Sequence, residues 1–334
     1  MKRLILPTFF LLAYFHGYTQ TPDSKQLQET ARTFMRQADY ANAILVLNRG
    51  LQQDPKNMAM VKDLAMSYYY QKDNKKALET IQPLLESNEA DDQSFQIAGN
   101  IYKDLEMLKE CEKMYKKGIR KFPESGALYN EYGELLWAQK NNDAIKQWEI
   151  GIERDPSFSK NYYNACRFYY LTTDKIWSIL YGEIFINMEP LGRNSPEIKD
   201  ILLDSYKKLF ADANLQQNTT TETAFEKAFL ETMNQQSALA SQGINTEILT
   251  MIRTRFILDW SNNYKTIFPY KLFEYHQQLL QEGMFDAYNQ WVFGSSESLT
   301  RYQNWTMSHR EAYNEFTNFQ KGRIFKIPGR QGYK

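Results

Sequence analysis

Asp39-Tyr-Ala-Asn-Ala-Ile44, running on to Leu51-Gln-Gln-Asp-Pro55, is the stretch that decides the fold. Its small residue Ala43 returns 34 positions later as Ala77 and again as Cys111, then 33 positions on as Ala144 and 34 on as Ser178. A second small series keeps the same beat through Ala31, Ala65, Gly99, Gly133 and Cys166, and large residues follow it at Phe34, Tyr68, Tyr102, Leu136 and Tyr169. A closing position reads Pro55, Glu89, Pro123, Pro156 and Pro190. Several phased series at one period mark a helical repeat array, here spanning 24–190. Helices approach closely only where side chains are small, large residues fill the space beside them, and proline stops the second helix of each unit.

On these residues the stretch resembles tetratricopeptide repeats, pairs of antiparallel helices stacked on one another. The resemblance covers about half the chain and implies an all-α, solenoid-type fold of five units. Two departures stand out. Glu89 replaces the closing proline of the second unit, and the fourth unit is one residue short. Gly133 is on the beat while Ala144 is one early, so the loss falls in the turn between that unit's helices.

The 334 residues carry 40 basic and 40 acidic side chains, which argues against a nucleic-acid footprint. Met1-Lys-Arg3 followed by the apolar run Leu4 to Phe15 reads as a signal peptide over 1–19, with cleavage before Gln20. The reading implies an exported protein, periplasmic or extracellular, with no transmembrane span after processing. Cys111 and Cys166 sit at small positions of different units and are expected to be buried thiols.

After the array, 191–320 reads as a helical C-terminal domain and 321–334 as a basic, flexible tail. Ser195-Pro-Glu197 is a helix start whose Ile198, Ile201, Leu202 and Leu209 face inward, leaving Lys199, Asp200, Asp204, Lys207 and Lys208 to water. Thr219 to Glu222 has capping-box spacing, and Asn245-Thr-Glu247 opens a further helix. From Trp260 to Phe319 aromatic residues dominate. Gly283-Met-Phe-Asp-Ala287 resembles a repeat turn, so helices at 270–282 and 285–293 are expected to form a hairpin, followed by one long helix over 296–320.

No catalytic, phosphate-binding or metal motif is present in the sequence, so no catalytic residue, cofactor or metal ligand is assigned. His276 and His309, with Glu274 and Glu311 nearby, are better read as packing or surface residues than as ligands. The repeat family binds peptides or helices along the wall formed by the first helix of each unit. Carried onto this chain, the inward positions are Arg32, Lys62, Met66, Tyr69, Tyr70, Asn100, Lys103, Asn130, Trp137, Tyr163, Arg167 and Tyr170. The resemblance therefore implies a non-catalytic scaffold for a protein or peptide partner. Gln96 and Glu131 stand where the carboxylate-clamping subclass needs lysine and asparagine, so a clamp is not expected. The alternative is a glycan- or envelope-binding protein using Trp291, Tyr302 and Trp305, although aromatic residues more often serve burial.

Overall fold

The computed structural model describes residues 23–211 and 223–329, and among them all regular structure is helical. The fold is all-α, of the repeat-solenoid class. Backbone contacts divide the chain into two units, one ending at Ala90 and one beginning at Asp91. The division falls within the repeats. The first unit holds α1 (Ser24–Arg36), α2 (Tyr40–Gln53), α3 (Met58–Tyr70) and α4 (Asn74–Glu86). The second opens with three more hairpins: α5 (Asp92–Asp104) and α6 (Leu108–Lys121), α7 (Gly126–Ala138) and α8 (Ala144–Arg154), α9 (Ser159–Tyr170) and α10 (Lys175–Met188).

The turns of the first four hairpins are built alike, whereas the α9–α10 turn closes through Leu171 and Thr172 without a left-handed residue. Ala38, Lys72, Glu106 and Lys140, spaced 34 apart, adopt φ of 58°, 66°, 57° and 59°. The next amide reaches back to close the first helix: Asp39 N–H donates to Phe34 O at 2.9 Å, and Asn141 N–H to Leu136 O at 2.9 Å. This is a left-handed C-terminal cap made without glycine. Because Lys140 and Asn141 keep the beat, the missing residue lies between Asn141 and Ala144, within the expected turn. The loss removes a cap. Asp39 and Asp73 accept from the amides of Asn42 and Lys76, whereas Asp143 caps nothing.

The two small series are buried throughout, and they meet in the third and fifth hairpins. In the third pair the Cys111 thiol lies 3.7 Å from Gly99 O, and in the fifth Cys166 lies 3.9 Å from Ser178 Oγ. Both cysteines are buried and free, and burial pushes each thiol up to about 12. Size is traded within a pair. Ala31 packs in one core with Leu47, but Gly99 faces Tyr115 and Gly133 faces Trp148. A Cβ on Gly133 would lie 2.3 Å from Trp148 Nε1, so the glycine makes room for an indole rather than for a helix backbone.

Helix α10, with the sequence Lys175-Ile-Trp-Ser-Ile-Leu-Tyr-Gly-Glu-Ile-Phe-Ile-Asn-Met188, is apolar on every side, and a helix of that kind must be enclosed. Every residue from Ile176 to Asn187 is buried. α9 and α11 (Ser195–Ala211) pack on it. α12 (Ala224–Asn234), α14 (Thr246–Asn263), α15 (Lys271–Gln281) and α16 (Phe285–Asn289) also reach it, and α13 (Ser237–Ala240) packs on α14. A π-helical turn (Gln290–Gly294), α17 (Ser295–Glu297), α18 (Leu299–Ser308) and α19 (Arg310–Lys321) follow. The α15–α16 turn repeats the array's device: Gly283 has φ 71°, and Met284 N–H donates to Leu279 O at 2.8 Å.

Several expectations are corrected by the structure. The helix expected over 296–320 is broken twice, at Ser298, whose backbone is extended, and at His309, whose ψ is 38°. The second helix of the 283 turn ends at Asn289 and passes into the π-turn. Ser195 does not cap α11; its hydroxyl donates to Glu189 O. Lys199 does not face water: its ammonium donates to Trp291 O at 2.6 Å and sits 3.9 Å from that ring's centroid. Burial lowers it to about 8. The capping box expected at Thr219 lies outside the described residues; the one before α12 is Thr223 with Glu226. Phe325, within the expected tail, packs 5.3 Å from Tyr275.

One acid, Glu183, sits inside the apolar α10 at 1% exposure. Arg253 of α14 pairs with it, His276 Nε2 of α15 lies 2.9 Å away, and Tyr288 of α16 donates at 2.7 Å. Asn289 completes Arg253, and Asn187 donates to Tyr288 at 2.7 Å. One carboxylate thus ties three later helices to the last repeat. Burial works against its charge, but Arg253 and His276 prevail and hold its pKa at about 2, against an ordinary 4.5. Burial chiefly lowers His276 below its ordinary 6.5. The unfolded chain therefore takes up a proton at His276 below pH 6.5 and at Glu183 below pH 4.5 before the folded chain does. The stability these groups contribute is present above those values and is lost as pH falls. A melting series across acidic pH should show a continuous decline, and His276→Gln should abolish the part beginning near 6.5.

Candidate protein-binding surface

In the second unit the inward positions fall on α5, α7 and α9, and α11 continues their row. Lys103 Nζ of α5 lies 2.8 Å from Glu131 Oε2 of α7, and Tyr115 donates to the same oxygen at 3.2 Å. Asn130 accepts from Asn164 of α9 at 2.8 Å and donates to Glu134 at 3.0 Å. Tyr163 donates to Glu197 of α11 at 2.8 Å, and Arg167 Nε lies 3.1 Å from the same carboxylate. Tyr170 donates to Asp204 at 2.8 Å with Lys208 Nζ 4.2 Å from its ring centroid. Asn130–Asn164, Tyr163–Glu197 and Tyr170–Asp204 are each 34 residues apart. α11 therefore occupies the place of a sixth first helix.

The row is a ladder in which Lys103, Asn130, Tyr163, Arg167 and Tyr170 are each met by the next helix. That ladder stabilises the stack and also sorts the positions. Asn130 is 1% exposed and presents no surface, so its role in the structure is internal. Asn100 is half-buried on α5. Trp137 is half-buried, its ring 5.9 Å from Trp148 and 5.3 Å from Phe168. Arg167 is open, with 46% of its side chain exposed, and its guanidinium lies 5.2 Å from the Tyr163 ring. Burial, with Glu197 beside it, pushes the Tyr163 hydroxyl up to about 12, so it remains a neutral donor. Tyr163, Arg167 and Tyr170 on α9 and Trp137 on α7 each keep part of their surface accessible, and together they make an aromatic and cationic set on this wall.

The first unit carries its own set. Arg32 Nε lies 2.9 Å from Asp63, and Tyr70, 46% exposed, stacks 5.3 Å from Tyr40. Tyr69 lies 5.5 Å from Tyr70 with Lys72 over its ring; Lys62 has interactions of its own, and Met66 is half-buried. The acids that complete the ladder, Asp63, Glu131, Glu197 and Asp204, were missed as functional positions. A signal for the last two existed, since each lies one repeat length after an inward tyrosine.

The same geometry bears on chemistry elsewhere. His276 is held by Glu183 and Arg253, while His309 stacks 4.4 Å from Trp305 at the helix break. Among the described residues no group of three or more His, Cys, Asp or Glu side chains could hold a metal ion. Among them, too, no helix is long and apolar enough to cross a membrane.

Residues 34–98 match the family model of the tetratricopeptide repeat. The chain carries tetratricopeptide repeats. Comparison with curated proteins gives no match. Solved tetratricopeptide structures are similar in part. A tetratricopeptide repeat protein from Parabacteroides merdae ATCC 43184 is 15% identical, with 73% of this chain and 95% of that one covered and a TM-score of 0.43. A thermophilic tetratricopeptide protein of Thermus thermophilus, TTC0263, is 12% identical, covering 56% and 98%, with a TM-score of 0.42. YrrB, described as a tetratricopeptide protein with an unusual peptide-binding site, is 16% identical, covering 53% and 92%, with a TM-score of 0.38.

Proposed function

We propose that this tetratricopeptide protein is an exported, non-catalytic scaffold, periplasmic or extracellular, that holds a peptide or partner helix along the first-helix wall of α7, α9 and α11. The observation that carries the reading is the set of Trp137, Tyr163, Arg167 and Tyr170. These are the residue types that dominate interface energy, held in fixed orientations by Phe168, Glu197 and Asp204. Preorganisation of this kind lowers the entropy cost of binding. Export rests on the basic-then-apolar N-terminus alone.

A photo-crosslinking residue placed at 167 in living cells should trap one protein in the envelope or extracellular fraction. The same residue at 255, exposed on α14, should trap none. The mature chain in that fraction should begin near Gln20. Equal capture from both positions, or an intact Met1 in the cytosol, would contradict the reading.

A further inference from the structure

We propose that the C-terminal helices carry a second binding site, for an uncharged saccharide, in the groove beside α18. Of the three aromatic residues that stand out in this region, Trp291 is out of reach: it is 6% exposed and covered by Lys199. Tyr302 and Trp305 are half-exposed, one helical turn apart, and both line an open groove of about 320 Å³. No residue of the repeat wall enters it.

Gln290 and Gly294, the two ends of the π-helical turn, line the groove. Such turns are rare and are frequently found at functional sites. Here the turn sets Gly294 beneath Tyr302. A Cβ at this position would lie 2.7 Å from both Gln290 Oε1 and Tyr302 Cδ2, so a side chain here would have to displace one or both.

The walls are fixed before any ligand arrives. Trp305 is backed by His309, with ring centroids 4.4 Å apart and planes 10° from parallel. The Tyr302 hydroxyl meets that of Tyr313. Glu297 accepts from the Thr246 amide and hydroxyl, both at 2.6 Å, and from Arg301 at 3.2 Å.

The lining suits a sugar ring. A pyranose offers an apolar C–H face, which packs on an aromatic face, and a rim of hydroxyls that donate and accept. Trp305 and Tyr302 supply rings, the amides of Gln290 and Asn304 supply donors and acceptors, and Glu247 is a further acceptor. A peptide helix would instead need a continuous apolar trough. Among the lining residues Glu247 and Glu297 face a single cation, Arg301, so the groove disfavours an acidic sugar.

The test is calorimetric titration of the purified chain with maltoheptaose, cellohexaose, xylohexaose and chitohexaose, and with hexagalacturonate as the charged probe. At least one neutral oligosaccharide should bind with a Kd under about 1 mM, and hexagalacturonate about tenfold more weakly or not at all. Trp305→Ala should weaken binding about tenfold or more with an unchanged melting curve, and Trp305→Phe should recover part of it. Arg167→Ala, on the repeat wall, should leave saccharide affinity unchanged. If Trp305→Ala does not fold, Asn304→Ala at an exposed position is read instead, with a loss of about threefold or more expected. The proposal is overturned by no binding of any neutral probe, by tighter binding of hexagalacturonate, by wild-type affinity in the folded variant, or by loss of affinity on Arg167→Ala.

Discussion

Glu183→Ala should destabilise the second unit by about 3–5 kcal/mol, the largest effect expected of any single substitution considered. The carboxylate is the shared partner of Arg253, His276 and Tyr288, all buried. Removing it strands a guanidinium in an apolar interior, and that uncompensated charge dominates the cost. The damage should be regional. α14, α15 and α16 lose their common attachment to α10, while the first unit's core of Leu27, Ala31, Leu47, Met60 and Leu64 contains none of these residues. Denaturant unfolding followed by tryptophan fluorescence reads the effect. The double variant Glu183→Leu with Arg253→Met should cost less than Glu183→Ala alone, because no charge is left unpaired. A double variant worse than the single would show that the network contributes through more than charge balance.

Gly133→Leu should cost about 2–4 kcal/mol by overpacking. Even one added carbon would stand 2.3 Å from Trp148 Nε1. The indole is 2% exposed and donates to Asn130 O at 3.3 Å, so it cannot swing aside without breaking that bond. The trade of size within each pair suggests its own rescue. Ala31 packs with Leu47 in the first pair, so Gly133→Ala combined with Trp148→Leu should recover much of what Gly133→Ala loses. An unchanged melting temperature in Gly133→Leu, or no recovery in the double variant, would show that the indole and the glycine are not a matched pair.

The sequence revealed most where structure depends on near neighbours. The repeat period, the shortened turn before Ala144 and the hairpin at Gly283 follow from small residues and turn positions at fixed spacing. The break at His309 did not, because Leu299 to Lys321 holds no proline or glycine to mark it, and the Tyr288 and Trp291 rings on which Phe316 packs come from other elements. Lys199 misled for a related reason. Its place on the polar face of α11 is local, whereas the Trp291 ring that covers it comes from 92 residues away. Glu183 was visible as an acid in an apolar helix, but its partners lie up to 105 residues along the chain and nothing local named them. At the candidate surface the repeat spacing placed the positions on their helices. The degree of exposure was not readable, as Asn130 shows, since it depends on how closely α7 and α9 stack.

Docking of a protein partner on the first-helix wall is tested most directly by affinity for the partner trapped from position 167. Arg167→Ala and Tyr170→Ala remove accessible side chains whose partners, Glu197 and Asp204, stay exposed enough to be solvated. Each should weaken binding by about 1–3 kcal/mol, roughly tenfold or more, with unchanged helicity. Trp137→Ala should do likewise, at some added cost in stability from its packing on Trp148 and Phe168. Arg255→Ala, exposed on α14, should bind as the wild type does. Wild-type affinity in folded Arg167→Ala and Tyr170→Ala, with loss in Arg255→Ala, would contradict the account and move the docking surface to the C-terminal helices.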